Sequence, residues 1–391
     1  MTRLFSMTLG ATMAASMIFM MQVPLLHQPS TFVSALSRLN FLNSTPIAWP
    51  TLGSAAVVIP ALGVERSHHD AVVPIASLTK MMTAYVTLQK LPLVPGETGP
   101  CLNVNSADVA YYKSITAEGE SSAAVAVGET LCESQLLAGL LVHSAGNFAT
   151  MLANLAWGGT NTFVAHMNAE ANALDLKGTH YVDVTGIGTG SVSTALDQGE
   201  LAALLMQSDV VRAIVDQPSV TLPVAGRLGS FTPYAGVDNV VGVKSGRTDA
   251  AGGCDVMAMT FTLNGQTQLA FAVVLGARGG NLLGPAGDEA LALEHSVVNS
   301  HESLEIPAGT VVGTLGWDNQ RVNVITTNHL QLSWFTALSS ANARASIFPE
   351  NGPVESGQVV GWLSVDQGST LRVPLTVARR IAPFTLMQRV R

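Results

Sequence analysis

Hydrophobic positions along this chain follow two periods. From Leu78 they recur at Met81, Met82, Tyr85 and Leu88, a three-to-four spacing that predicts a helix, and Pro92 ends it. Residues 134–142 are apolar almost without interruption, which predicts a helix in the centre of a domain rather than on its surface. Helical patterns continue over 147–157, 160–175 and 195–206, the last with Ser193-Thr194 as its N-cap. On both sides of this block the pattern changes to short runs suited to strands, at 54–59, 71–73, 239–245 and 255–263. Asn264-Gly265 between two apolar runs predicts a hairpin whose partner strand covers 267–276. A helix over 283–300 closes the region. The sum is an α+β domain, with an antiparallel sheet drawn from both ends of the segment and helices collected between them.

After about residue 303 the helical spacing stops, and short strands with Gly and Pro breaks take over. Gly309-Thr310-Val311-Val312-Gly313-Thr314-Leu315 returns as Gly357-Gln358-Val359-Val360-Gly361-Trp362-Leu363. Two related strand–turn–strand units predict a small C-terminal β-sandwich over 303–391. The other end of the chain has the order of an export segment, Arg3 followed by apolar residues from Leu4 to Leu26. Its length is close to the roughly 20 residues that cross a bilayer. Residues 1–26 are therefore a cleaved signal peptide or a retained membrane anchor, with Val33-Ser34-Ala35 a poorly matching cleavage site. Residues 27–50, rich in Pro, Ser, Thr and Asn, are expected to be a linker, which leaves 51–302 as the main domain.

Composition narrows the classes of function. The chain is 48% hydrophobic and 12% charged, with a net charge of −8. That suits packed globular domains and offers no electrostatic footprint for nucleic acid. The thin basic group Arg379, Arg380, Arg389 and Arg391 is expected to be solvated surface. Export places the three cysteines in an oxidising space. Cys101 and Cys132, near element ends, are the natural pair. Cys254 follows Gly252-Gly253 and precedes an apolar strand, so a buried free thiol is expected there. No Cys/His spacing fits a metal site, and His68-His69 is expected to lie in a surface loop.

Ser77-Leu78-Thr79-Lys80 opens the first helix. At i and i+3 the Ser hydroxyl and the Lys amine share a face. A serine hydroxyl needs a base to take its proton. A lysine held near other cations in a cleft shifts toward the neutral amine that can serve as that base. The helix N-terminus adds free N–H groups that favour a developing oxyanion. Taken alone, this spacing describes a helix cap and a surface lysine equally well. Lys244-Ser245-Gly246, on a later strand, adds a cation, a hydroxyl and a residue that lets a substrate backbone come close.

The stretch Pro74-Ile75-Ala76-Ser77-Leu78-Thr79-Lys80-Met81-Met82-Thr83-Ala84 resembles the nucleophile helix of the D-alanyl-D-alanine carboxypeptidases, the low-molecular-mass penicillin-binding proteins. Gly242-Val243-Lys244-Ser245-Gly246-Arg247-Thr248, with the turn to Gly253, is similar to that family's Lys-Thr-Gly strand. Phe163 to Asn168 and Tyr181 to Gly186 resemble its central region. The resemblance covers about 52–300, and the tail from 303 is similar to the family's C-terminal β domain. It implies a β-lactamase/transpeptidase-like fold, in which an antiparallel sheet and an α-helical subdomain enclose the site. It implies Ser77 as nucleophile on the amide between two D-alanines, Lys80 as proton acceptor and Ser144 as proton relay. Lys244, Ser245, Gly246 and Arg247 are implied to bind the terminal carboxylate and scissile amide, with the N–H groups of Ser77 and Arg247 as the oxyanion hole. No metal or cofactor is implied. The implied partners are peptidoglycan stem peptides ending in D-Ala-D-Ala and β-lactam antibiotics, with a membrane contact through the N-terminal segment. The implied location is the extracytoplasmic side of the cell membrane or the wall space.

One position departs from the family. Its middle motif is Ser-x-Asn, and here His143-Ser144-Ala145-Gly146-Asn147 puts Gly146 where the Asn belongs. Either the glycine lets the turn shift so that Asn147 reaches the substrate, or the amide is missing and the function is weakened. Three readings stand. The first is an active D-Ala-D-Ala carboxypeptidase. The second is another hydrolase of the same fold, a β-lactamase or DD-endopeptidase; the C-terminal β domain and the lack of a recognisable Glu-bearing deacylation loop oppose a β-lactamase. The third is a penicillin- or wall-binding homologue with impaired catalysis.

Overall fold

The structure, a computed structural model, describes residues 31–36, 46–263, 265–317, 320–338, 342–348, 353–366 and 370–381. The expected signal or anchor, most of the expected linker, Asn264, Arg389 and Arg391 lie outside them. Among the described residues no helix is long and apolar enough to cross a membrane. The chain divides into two compact units, one of residues 43–302 and 333–339, the other of the remaining residues on either side.

The larger unit is built on a five-stranded sheet. Its strands are β1 (Ser54–Ile59), β2 (Val64–His68), β3 (Val240–Thr248), β4 (Gly252–Leu263) and β5 (Gln266–Ala277), in the order β3-β4-β5-β1-β2. Every neighbouring pair is antiparallel, so the first and last parts of this unit meet where β5 pairs with β1. Leu263 lies opposite Gln266, which leaves a two-residue connection at the expected hairpin. Period-two alternation buries both faces. Cys254, Val256 and Ala258 of β4 join the core on the helical side, whereas Met257, Met259 and Phe261 join a second cluster on the other side.

Seven helices lie between β2 and β3: α1 (Thr79–Lys90), α2 (Ser106–Ala117), α3 (Glu133–Val142), α4 (Gly146–Trp157), α5 (Thr160–Ala173), α6 (Ala195–Leu205) and α7 (Asp209–Val215). The eighth, α8 (Leu283–Val298), covers the opposite face through Ala286, Ala290, Leu293 and Val297. The very apolar α3 buries eight of its residues, as a central helix must. Periodicity does not reveal α2, because Ile115 is its one buried residue. A capping box makes that helix instead: Asn105 accepts from the Ala107 and Asp108 N–H groups, and Asp108 accepts from the Asn105 N–H. Cys101 and Cys132 face each other in a short ladder of Cys101–Asn103 with Thr130–Cys132 and are joined by a disulfide. Cys254 is free and buried.

The second unit carries a six-stranded antiparallel sheet. Its order is Thr31–Ser34, Val311–Trp317, Gln320–Thr326, Thr370–Val377, Val359–Asp366 and Asn342–Ile347. The sequence echo is visible here. Gly309 and Gly357 both take the left-handed conformation, φ 84° and 86°, just before the strands at 311 and 359. The two hairpins that follow pair through their second strands. Thr31–Ser34 is a departure from the expected linker. Its β-branched and aromatic residues pair with Gly313–Gly316 and close that edge of the sheet.

Candidate active site

Ser77 is held in a single 3-10 turn, Ala76–Leu78, that runs directly into α1. The sequence predicts an α-helix there; the α-helix instead starts at Thr79, after a 3-10 turn that opens at Ala76 with a left-handed φ of 47°. One turn on, the buried Lys80 Nζ donates to Ser77 Oγ at 2.8 Å and to the Thr185 carbonyl at 2.8 Å. The i, i+3 pair expected from spacing is thus in direct contact.

Lys244 on β3 is fully buried, and its Nζ donates to the Ser245 carbonyl at 2.6 Å. Ser245 Oγ donates to the Phe231 carbonyl at 2.8 Å. Gly246 passes so near Ser77 that a Cβ there would lie 2.6 Å from the Ser77 nitrogen. This contact is why the position must lack a side chain. Arg247, one residue on, is exposed at the cleft.

Ser144 stands in the turn between α3 and α4 with φ 59°, a strained conformation for a residue with a Cβ. Its buried Oγ makes no hydrogen bond among the described residues. Gly146 begins α4, and its N–H donates to the Ser121 carbonyl at 2.8 Å. Asn147 does not reach the cleft. Its Oδ1 accepts from the Ala123 N–H at 3.0 Å and its Nδ2 donates to the Ala123 carbonyl at 2.9 Å. Its assignment as a substrate-binding residue is therefore corrected: one step of about 100° along the helix turns the amide onto a neighbouring backbone segment. That segment carries Glu120 and Ser121, which do line the cleft.

The cleft holds about 520 Å³ and is lined by Ser77, Ser144, Ser245, Gly246 and Arg247, with Glu120 and Ser121 on the helical wall and Phe231, Ile187 and Leu282 at its apolar patches. Burial pulls Lys80 down to about 8, opposed by the charges of Asp183 and then Glu120. Burial, then the Lys80 charge, holds Lys244 well below the ordinary lysine value, opposed by Asp255. A charged amine near a second one in a buried site favours the neutral form of that second amine, here Lys244. Among the described residues no group of three His, Cys, Asp or Glu side chains could hold a metal ion.

Three contributors have no role that the sequence motifs assign. Thr185 gives Lys80 a carbonyl, Asp183 organises the turn around it, and Glu120 brings a carboxylate to the wall. Asp183-Val184-Thr185-Gly186 is the kind of run in which an Asp side chain caps backbone N–H groups ahead of it, and that signal was available.

Comparison with known proteins adds an independent line. A model of the D-alanyl-D-alanine carboxypeptidase family, peptidase family S11, matches residues 64–279. A D-alanyl-D-alanine endopeptidase of Pseudomonas aeruginosa is 35% identical over 201 residues, 49% of this chain and 61% of that protein. The D-alanyl-D-alanine carboxypeptidase DacA of Escherichia coli is 31% identical over 205 residues, 51% of this chain and 50% of that protein. The chain thus spans about half to three fifths of the length of these curated relatives. Penicillin-binding protein 5 from Haemophilus influenzae matches with a TM-score of 0.59 over 88% of this chain and 100% of that one. At 19% identity this is a likeness of fold, α+β with antiparallel sheets and a C-terminal β-rich part.

Proposed function

Because the chain belongs to the D-alanyl-D-alanine carboxypeptidase family, S11, we propose that it is a serine DD-peptidase that acylates at Ser77 and releases the terminal D-alanine of peptidoglycan stem peptides. The observation that carries this reading is the 2.8 Å bond between Lys80 Nζ and Ser77 Oγ, with Lys80 drawn down to about 8. A lysine in that range has a populated neutral form near neutral pH, and its lone pair can take the Ser77 proton. The oxygen of Ser77 then attacks the carbonyl between the two D-alanines. Charge developing on that carbonyl oxygen falls to the N–H groups of Ser77 and Arg247. The unpartnered Ser144 Oγ is free to relay a proton to the leaving amine. Arg247 and the Ser245 hydroxyl hold the substrate carboxylate from the cleft wall, with the Lys244 amine buried behind them, and Gly246 allows the peptide to lie along β3. Water then hydrolyses the acyl-enzyme, and β-lactams acylate the same serine.

A second reading, DD-endopeptidase, is favoured by the 35% identity to an enzyme of that description. Both reactions pass through the same acyl-enzyme and differ in the leaving group, one D-alanine or a longer peptide. The disulfide supports an extracytoplasmic setting, to which residues 1–26 would deliver the chain. The test is to give the protein a stem pentapeptide and a cross-linked muropeptide dimer, each with and without a fluorescent penicillin. Release of D-alanine, blocked by the penicillin, is expected. Cleavage of the dimer alone would favour the endopeptidase, and labelling without turnover would favour the impaired homologue that Gly146 suggests.

A further inference from the structure

The Lys80 amine is seated from behind by a loop to which the family motifs assign nothing. Asp183 Oδ1 accepts from the Thr185 N–H at 2.6 Å, from Thr185 Oγ1 at 2.9 Å and from the Gly186 N–H, while Oδ2 accepts from the Gly188 N–H at 2.7 Å. Four donors converge on one carboxylate. The turn so closed aims the Thr185 carbonyl at Lys80 Nζ, 2.8 Å away. It is also fixed to the nucleophile segment on both sides. Thr83 Oγ1 donates to the Val184 carbonyl at 2.8 Å, and a Cβ on Gly186 would lie 1.7 Å from the Ala76 carbonyl oxygen.

We propose that Asp183 is a positioning residue for acylation: its carboxylate closes the turn that seats the Lys80 amine against Ser77. This rests on the reading of Ser77 and Lys80 given above. The carboxylate touches neither substrate nor Ser77. It acts through the Thr185 carbonyl and through its charge. The charged groups facing Lys80 are Asp183 from this loop, Glu120 from the segment after α2 and Lys244 from β3. Of the two carboxylates, Asp183 exerts the larger upward pull on the Lys80 pKa. Its loss therefore has two separable consequences. The turn loosens, so the limiting acylation rate falls. The amine also loses a neighbouring anion, so the acid limb of the pH profile moves to lower pH.

The experiment is the pH profile of penicillin acylation for wild type, Asp183→Asn and Asp183→Ala, with thermal melts to select folded protein. Asn keeps an oxygen for the Thr185 and Gly186 donors but loses the charge and the Gly188 acceptor. The expected result is a limiting rate lowered about tenfold in Asp183→Asn and about 10²-fold in Asp183→Ala, with the acid limb displaced downward in both. NMR titration of Lys80, isotopically labelled at Cε, in the same unacylated proteins gives a readout that needs no turnover. It keeps a failure of this inference apart from a failure of the acylation reading. A Lys80 titration unmoved by Asp183→Asn would overturn the inference, as would limiting rates equal to wild type in both variants.

Discussion

At the Ser77 end of the cleft, each group the proposed chemistry needs is present and partnered: the hydroxyl meets Lys80, Lys80 meets Thr185, and Gly246 packs against the Ser77 backbone. At the Ser144 end, one hydroxyl has no partner among the described residues, and Gly146 supplies no side chain at all. Ser77 is half-buried and Ser144 buried, and both ends use strained backbone, at Ala76 and Ser144. The difference is therefore not one of order but of chemical content. Forming the acyl-enzyme depends mainly on the first end. In the proposed chemistry, holding the substrate amide and handing a proton to the leaving group depend on the second. A chain built in this way should be acylated by β-lactams and should be slower than an enzyme with the full Ser-x-Asn motif.

Four substitutions break or sharpen this contrast. Ser77→Ala removes the attacking oxygen and should abolish the covalent penicillin adduct seen by intact-mass measurement, with the melting temperature unchanged. Gly246→Ala puts a methyl 2.6 Å from the Ser77 nitrogen, where the contact is backbone and cannot rotate away. Stopped-flow acylation should fall about 10²-fold from the resulting displacement. Gly146→Asn adds the missing amide; its Cβ would meet the Ser121 carbonyl oxygen at 3.3 Å and Ile115 Cδ1 at 3.6 Å, a fit that needs only small adjustment. Acylation should rise about tenfold, the worth of one good hydrogen bond. Asn147→Ala should leave acylation little changed, because its amide is spent on Ala123. It should instead cost about 1–3 kcal/mol of stability in urea melts, since a buried N–H and carbonyl lose their partner. A large acylation defect in Asn147→Ala would mean that the amide swings into the cleft when substrate binds.

The same contrast explains what the sequence could disclose. Leu78, Met81, Met82 and Tyr85 announce α1 by their helical spacing, although that helix is buried on nearly every side, and the unbroken apolar runs of β4 and β5 announce strands because both of their faces are core. α2 escaped because a helix with only Ile115 buried has no stripe to read. Its cap at Asn105 was the available sign. Ser77, Lys80, Lys244 and Gly246 were legible because contact at close range fixes their residue types. Asp183 and Glu120 act at one remove, through a turn and a wall whose course depends on packing between α1, α2 and α4. The destination of Asn147 was undecided for a related reason: which way a helix-start side chain faces follows from where the 120–123 segment runs. Thr31–Ser34 looks like linker in the sequence because a short edge strand is recognisable only once its partner at 313–316 is known.

The central claim is that Lys80, as a neutral amine, activates Ser77. The direct measurement is the rate of penicillin acylation from well below to well above pH 8, with the adduct located by peptide mass mapping. Below the Lys80 pKa the amine is protonated and has no lone pair to offer; above it, the base is available. The account predicts an adduct on Ser77 whose rate of formation climbs through about pH 8 and then levels off. A rate that is flat across that range, or an adduct on any other residue, would contradict it.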